Sequence, residues 1–181
     1  MAEEKDTRED RPYGDTEIHR LIAALDDPSI DIRHQSLHAL GEIGKPAVDL
    51  LIQALAGAVD NDHRWYAALA LSGVGAPAVD PLISAMRVHP EHEFRRFAAA
   101  ALGTIGIPAI EPLIDAMAGD DRELRGFLSR ALCRIGKPAV GPLTRRLDDA
   151  DNIIRSCATL TLWQMGETGF PAILNTMEKE E

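Results

Sequence analysis

The chain has 181 residues, about the length of one domain, and its 19 Lys and Arg stand against 29 Asp and Glu for a formal charge of −10. That balance disfavours broad electrostatic attachment to nucleic acid or to an anionic membrane, and four Phe, two Tyr and two Trp are too few aromatics for a β-sandwich or barrel. Two cysteines make no disulfide framework; with no apolar leader core and no run near the roughly 18 apolar residues of a membrane span, a cytoplasmic protein is expected.

Residues 1 to 15 carry six acids and three bases with little that is apolar, and read as a disordered acidic tail. From 16 to 179 the chain reads as one repeat array. Gly44-Lys45-Pro46-Ala47-Val48 recurs as Gly75-Ala76-Pro77-Ala78-Val79, Gly106-Ile107-Pro108-Ala109-Ile110 and Gly136-Lys137-Pro138-Ala139-Val140, and Gly166 continues the series. The glycine spacings are 31, 31, 30 and 30 residues, a period that marks a stacked repeat architecture.

Within each unit the apolar residues follow helical spacing on both sides of the glycine. Counting back, Phe94, Ala98, Ala101, Leu102 and Ile105 share a helix face, and counting forward Ile110, Leu113, Ile114 and Met117 share another. Each unit is therefore a helix pair. The first pair is expected near 16–25 and 30–44, the others at the repeat period, and an unpaired last helix near 168–178. The glycine suits the left-handed end of one helix and the proline two residues later suits the first turn of the next. Pro81, Pro112 and Pro142 each stand four residues past that proline. They imply either a kinked helix or a short opening turn before the main helix, with Asp80 capping ahead of Pro81.

The unit Phe94-Arg95-Arg96-Phe97-Ala98-Ala99-Ala100-Ala101-Leu102-Gly103-Thr104-Ile105-Gly106, continuing through Pro108-Ala109-Ile110 to Met117, resembles the short HEAT-like repeats of the phycobilisome-lyase type. The resemblance implies an all-α fold: a right-handed α-α superhelix of five helix pairs plus a final helix, with the second helices lining a concave face. It implies several roles, since such repeats serve as protein-binding scaffolds, as subunits of bilin lyases and as enzymes acting on nucleic acid. The di-iron hydroxylase branch uses His-Glu pairs in the second helices. The matching dipeptides here, among them His34-Gln35, Trp65-Tyr66 and Arg96-Phe97, lack the carboxylate, so that branch is excluded.

Arg33, Arg64, Arg95, Arg125 and Arg155 precede the five glycines by 11 residues each. An identical residue in every unit reads as a structural ladder that repeats with the stack. Binding residues are expected where units differ, on the outward face of the second helices: His34, His38, Trp65, Leu69, Arg96, Arg130 and Trp163. His34 and His38 have the i, i+4 spacing of metal ligands, yet two histidines alone do not make a site. Cys133 and Cys157 read as free thiols, and no motif asks for a cofactor or supplies a nucleophile. Arg122 to Arg146 carries seven bases against the single acid Glu123. The leading expectation is a non-enzymatic scaffold, monomeric or weakly dimeric, that holds an acidic protein or peptide segment on its concave face. A bilin lyase-type subunit is the alternative, and a nucleic-acid-binding protein the third reading.

Overall fold

Five glycines turn the chain. In the computed structural model, which describes residues 14–177, Gly44, Gly75, Gly106, Gly136 and Gly166 have φ between 58° and 82°, and no other described residue has a positive φ. Such a φ strains any residue with a Cβ. At the first four glycines the N–H donates to the carbonyl of the leucine four residues earlier, which closes one helix. The glycine carbonyl accepts from the alanine three residues later and so opens the next.

The described elements are all helical: α1 (Asp15–Ala23), α2 (Ile30–Ile43), α3 (Val48–Gly57), α4 (Asn61–Val74), α5 (Val79–Val88), α6 (His92–Ile105), α7 (Ile110–Ala116), α8 (Arg122–Ile135), α9 (Lys137–Arg145), α10 (Asn152–Gln164) and α11 (Phe170–Met177). Of the tail expected over 1–15, residues 1–13 lie outside the described part, and Asp15 already opens α1. One turn of 3-10 helix precedes α3, α5 and α7, so Pro81 and Pro112 fall in the first turn of their helices, where no intrahelical N–H is lost. The opening-turn alternative is the one found there, without its cap. Asp80 is the second residue of α5, behind an Ala78 that makes no side-chain cap bond. In the fifth unit the opening turn merges with the helix, and α9 runs from Lys137 with Pro142 inside it.

The even-numbered helices pack broadly on one another, and the odd-numbered row touches more sparsely. The result is an all-α superhelix in which the second helices form the more closely packed, inner row. Its core repeats with the period: Leu40, Leu71, Leu102, Leu132 and Leu162 all stand four residues before a unit glycine and are fully buried. Facing them, Leu51, Leu82, Leu113 and Leu143 are buried in the first helices. Each such leucine contributes about 1.5–3 kcal/mol of transfer free energy. No single helix among the described residues is long and apolar enough to cross a membrane. The segments Asn61–Val74 and Ala76–Val88 reach that length only jointly, across a 119° bend.

The five ladder arginines share one bond. Arg33, Arg64, Arg95, Arg125 and Arg155 each donate to the carbonyl six residues earlier, in the loop that joins the two helices of their own unit. The repeated contact thus ties a unit to itself rather than to its neighbour. Arg95 does both. It is 2% exposed, donates to the Met86 and His89 carbonyls, and bonds Asp121 Oδ2 of the next unit at 2.6 Å. Its loss would leave a cavity and two carbonyls without their donor. We expect Arg95→Ala to cost about 3 kcal/mol in urea unfolding and Arg125→Ala, whose partner carbonyl is near solvent, about 1 kcal/mol; equal losses would contradict this account of the ladder.

A second column was not read from the sequence. The residue 15 before the glycine begins the second helix, and Asp60, Asp121 and Asp151 cap there by accepting backbone N–H groups of His63, Leu124 and Ile153. His63 also joins the first unit to the second, with Nδ1 2.6 Å from Asp60 and Nε2 3.0 Å from Asp26. The Asp60 hydrogen bond raises its pKa, partial burial opposes this, and the charges of Asp26, Asp60 and Asp62 add to the rise. A raised histidine pKa contributes stability that is complete below the ordinary imidazole value and is lost as pH climbs through the elevated one. The melting temperature should therefore fall across that interval, and His63→Gln should flatten the fall. An identical slope in the variant would remove His63 from the explanation.

Candidate functional site on the inner face

The residues that differ between units come together on the inner face. Trp65 on α4 is 48% exposed, a large apolar surface facing outward from the helix. With Leu69, Ser72, Ala100 and Arg134 it borders a small depression of about 20 Å³ between α4, α6 and α8. Arg96, Ala100, Phe127, Arg130 and Arg134 enclose the next, of about 180 Å³. Arg130, Phe127, Arg122 and Gly126 carry on into a third of about 220 Å³. Arg122 and Gly126 in turn border the largest, about 340 Å³, between α8 and α10. Each depression shares wall residues with the next, so they form one track across four units.

The guanidinium groups along this track differ in how they are held. Arg96 bonds Glu93 of its own helix, reaches Asn61 Oδ1 at 3.4 Å and lies over the Phe97 ring, 4.3 Å from its centroid. Arg130 lies over Phe127 at 5.2 Å. Arg122, Arg130 and Arg134 form no ion pair among the described residues. By contrast, Arg145 and Arg146 bond Glu111, and Arg146 also bonds Asp115 and Asp149. The basic run seen in the sequence therefore splits in two. Arg145 and Arg146 pair with acids of α7, whereas Arg122, Arg130 and Arg134 carry unpaired charge.

Arg134 is not among the residues that the sequence places on this face. It reaches the inner face because Gly103 on α6 has no side chain; a Cβ there would fall 2.7 Å from Arg134 Cδ and 2.9 Å from its Cβ. Gly103 was legible in the sequence, but its neighbour across the helix pair was not. Gly126 differs, since a Cβ added there would meet nothing within 4 Å.

The remaining expected residues lie off the track. His34 and His38 are exposed on α2, where His38 faces Glu42 at 3.4 Å, and they border none of these depressions. Among the described residues no three His, Cys, Asp or Glu side chains gather as metal ligands would. Trp163 is 63% exposed at the far end of the stack, edge-on to Phe170 of α11 with ring centroids 5.2 Å apart. Cys133 and Cys157 are free and half-buried, and burial raises the pKa of both thiols. At Cys157 the Arg125 charge pulls the other way.

The two glycines give opposite expectations. Glycine in an exposed helix interior costs about 1 kcal/mol relative to alanine, so Gly126→Ala should stabilise by that amount in urea unfolding. Gly103→Ala must displace Arg134 near its backbone and should destabilise by about 1 kcal/mol despite the gain in propensity. Equal stabilisation by both would mean that Arg134 does not depend on the missing Cβ.

A family model described as HEAT repeats matches residues 18–103 and 48–126. No curated protein matches. Among solved structures, the chain is similar to an engineered protein from a structural genomics consortium, at 18% identity over 91% of this chain and 86% of that one, with a TM-score of 0.36. It is also similar to the complex of CpcE and CpcF of phycocyanin lyase from Nostoc sp. PCC7120, at 23% identity over 92% of this chain and 71% of that one, with a TM-score of 0.38. With the family match spanning more than half of the sequence, the chain belongs to the HEAT repeat proteins.

Proposed function

We propose that the protein is a non-enzymatic interaction scaffold that holds an extended protein or peptide segment along the inner face. The observation that carries this reading is the continuous track from Trp65 and Leu69 past Arg96, Arg130 and Arg134. HEAT repeats generally mediate protein interactions, and this track supplies what an extended ligand needs. Trp65 offers apolar area for a buried anchor. Arg130 and Arg134, which form no ion pair among the described residues, attract carboxylates and would be left undercompensated by a neutral segment, so they favour an acidic one. Packed helices already hold these side chains in place, which lowers the entropy lost on binding.

Affinity capture from the native lysate tests the reading, with wild-type protein beside a Trp65→Ala, Arg96→Ala, Arg130→Ala variant of equal helicity. A protein retained by the wild type and lost by the variant is expected. For that partner, Trp65→Ala alone should weaken binding by about 2 kcal/mol in calorimetric titration. Unchanged affinity would take Trp65 out of the interface, and retention by both baits would move the working surface elsewhere.

A further inference from the structure

The groove between α8 and α10 has features that the helix stack does not require. Ten residues before the glycine that closes each unit, the second, third and fourth units carry Trp65, Arg96 and Gly126, and Ser156 follows in the last. The two smallest side chains in this column are thus neighbours, and the groove opens where they meet. Gly126 stands inside α8, with open space where its Cβ would be. A glycine there weakens the helix and relieves no clash. What it does is leave room over the groove.

The walls of this space of about 340 Å³ are unequal in character. Ile153 and Leu160 supply apolar surface, Met117 of the core backs the wall at 1% exposure, and Arg122 and Arg125 supply positive charge. The carboxylates nearest to Arg122 in sequence are committed elsewhere: Asp121 bonds Arg95 at 2.6 Å, and Glu123 lies 3.8 Å from the same guanidinium. Arg122 itself has no ion pair among the described residues. Asp151, the cap of α10, accepts the Ile153 N–H, and its charge acts on Cys157 against that of Arg125. Arg125 spends one nitrogen on the Gly119 carbonyl and keeps its charge beside the groove. The volume lies at the lower end of small-ligand pockets.

From the open groove, its apolar wall and its two arginines, we infer that the α8–α10 groove binds a carboxylate carried on an apolar stem. The stem lies against Met117, Ile153 and Leu160, and the carboxylate meets Arg122 and the free side of the Arg125 guanidinium, the charge-assisted pairing that guanidinium geometry favours. The carboxylate can belong to a free organic acid or to the end of a peptide chain. Because the site is built from α8, α10 and the Met117 that ends α7, it does not depend on Trp65.

Calorimetric titration with phenylbutyrate and phenylbutyramide, and with N-acetyl-Leu-Phe bearing either a free or an amidated C-terminus, tests this directly. Both acids, or one of them, should bind, with the matching amide at least about tenfold weaker. Tight binding by phenylbutyrate alone would assign the site to a free acid; tighter binding by the dipeptide acid, displacing phenylbutyrate, would assign it to a chain terminus. Arg122→Gln, a change of an exposed side chain, should lose the acid-over-amide preference. Gly126→Leu should abolish binding without lowering the melting temperature, and Trp65→Ala should leave binding unchanged, which separates this site from the scaffold reading. Equal binding of acid and amide, undiminished binding in Gly126→Leu, or no binding of any of the four probes would overturn the inference.

Discussion

A helix pair can repeat only if the chain reverses within a few residues at the same place in every unit, and here a glycine at positive φ makes that reversal. The unit follows from it. The glycine ends one helix on the carbonyl of a buried leucine, and the proline after it belongs to the opening of the next helix. Between the two helices of the pair an arginine gathers the loop by its carbonyl. With both turns held alike, each unit presents the same leucines to its neighbours, and the core continues through the stack. Arg95 adds a bond to the next unit near the middle of the chain, where a break in the stack would divide it.

This division of labour separates stability from recognition. The glycine, leucine and arginine columns are occupied by the same residue types in unit after unit, and they leave the inner surface of the second helices free to differ. The difference follows a pattern along the array. Trp65 gives apolar area at one place, α8 brings arginines that its neighbours do not neutralise, and Gly126 with Ser156 opens a groove. The chain as a whole is acidic, at a formal charge of −10, and these arginines are a local positive exception. A bound acidic segment would be attracted to them.

The repeat, the helix pairs and much of the core were legible because period, glycine and apolar spacing are local properties of sequence. Trp65, Leu69, Arg96 and Arg130 could be placed on one side of their helices for the same reason, and the structure brings them to adjoining depressions. What escaped the sequence depends on contacts between elements. Arg134 faces inward only because Gly103 of another helix has no side chain. The apparent basic run loses Arg145 and Arg146 to Glu111 and Asp115 across the stack. The capping aspartates follow backbone conformation rather than hydrophobic period, and the large groove arises from two small residues in consecutive units. Trp163 could be placed on the exposed face of α10 at the edge of the stack, where the sequence already allowed the last helix to fold over it, and Phe170 of α11 lies edge-on to it.

The central claim is that the inner row of helices is the working surface and the outer row a support. Photo-crosslinking tests it most directly, with a photoreactive residue placed in turn at Leu69 and Arg130 on the inner row and at Gln53 and Ser84 on the exposed side of α3 and α5. The account predicts that a common partner is captured from both inner positions and from neither outer one. Capture from Gln53 and Ser84, with none from Leu69 and Arg130, would contradict it.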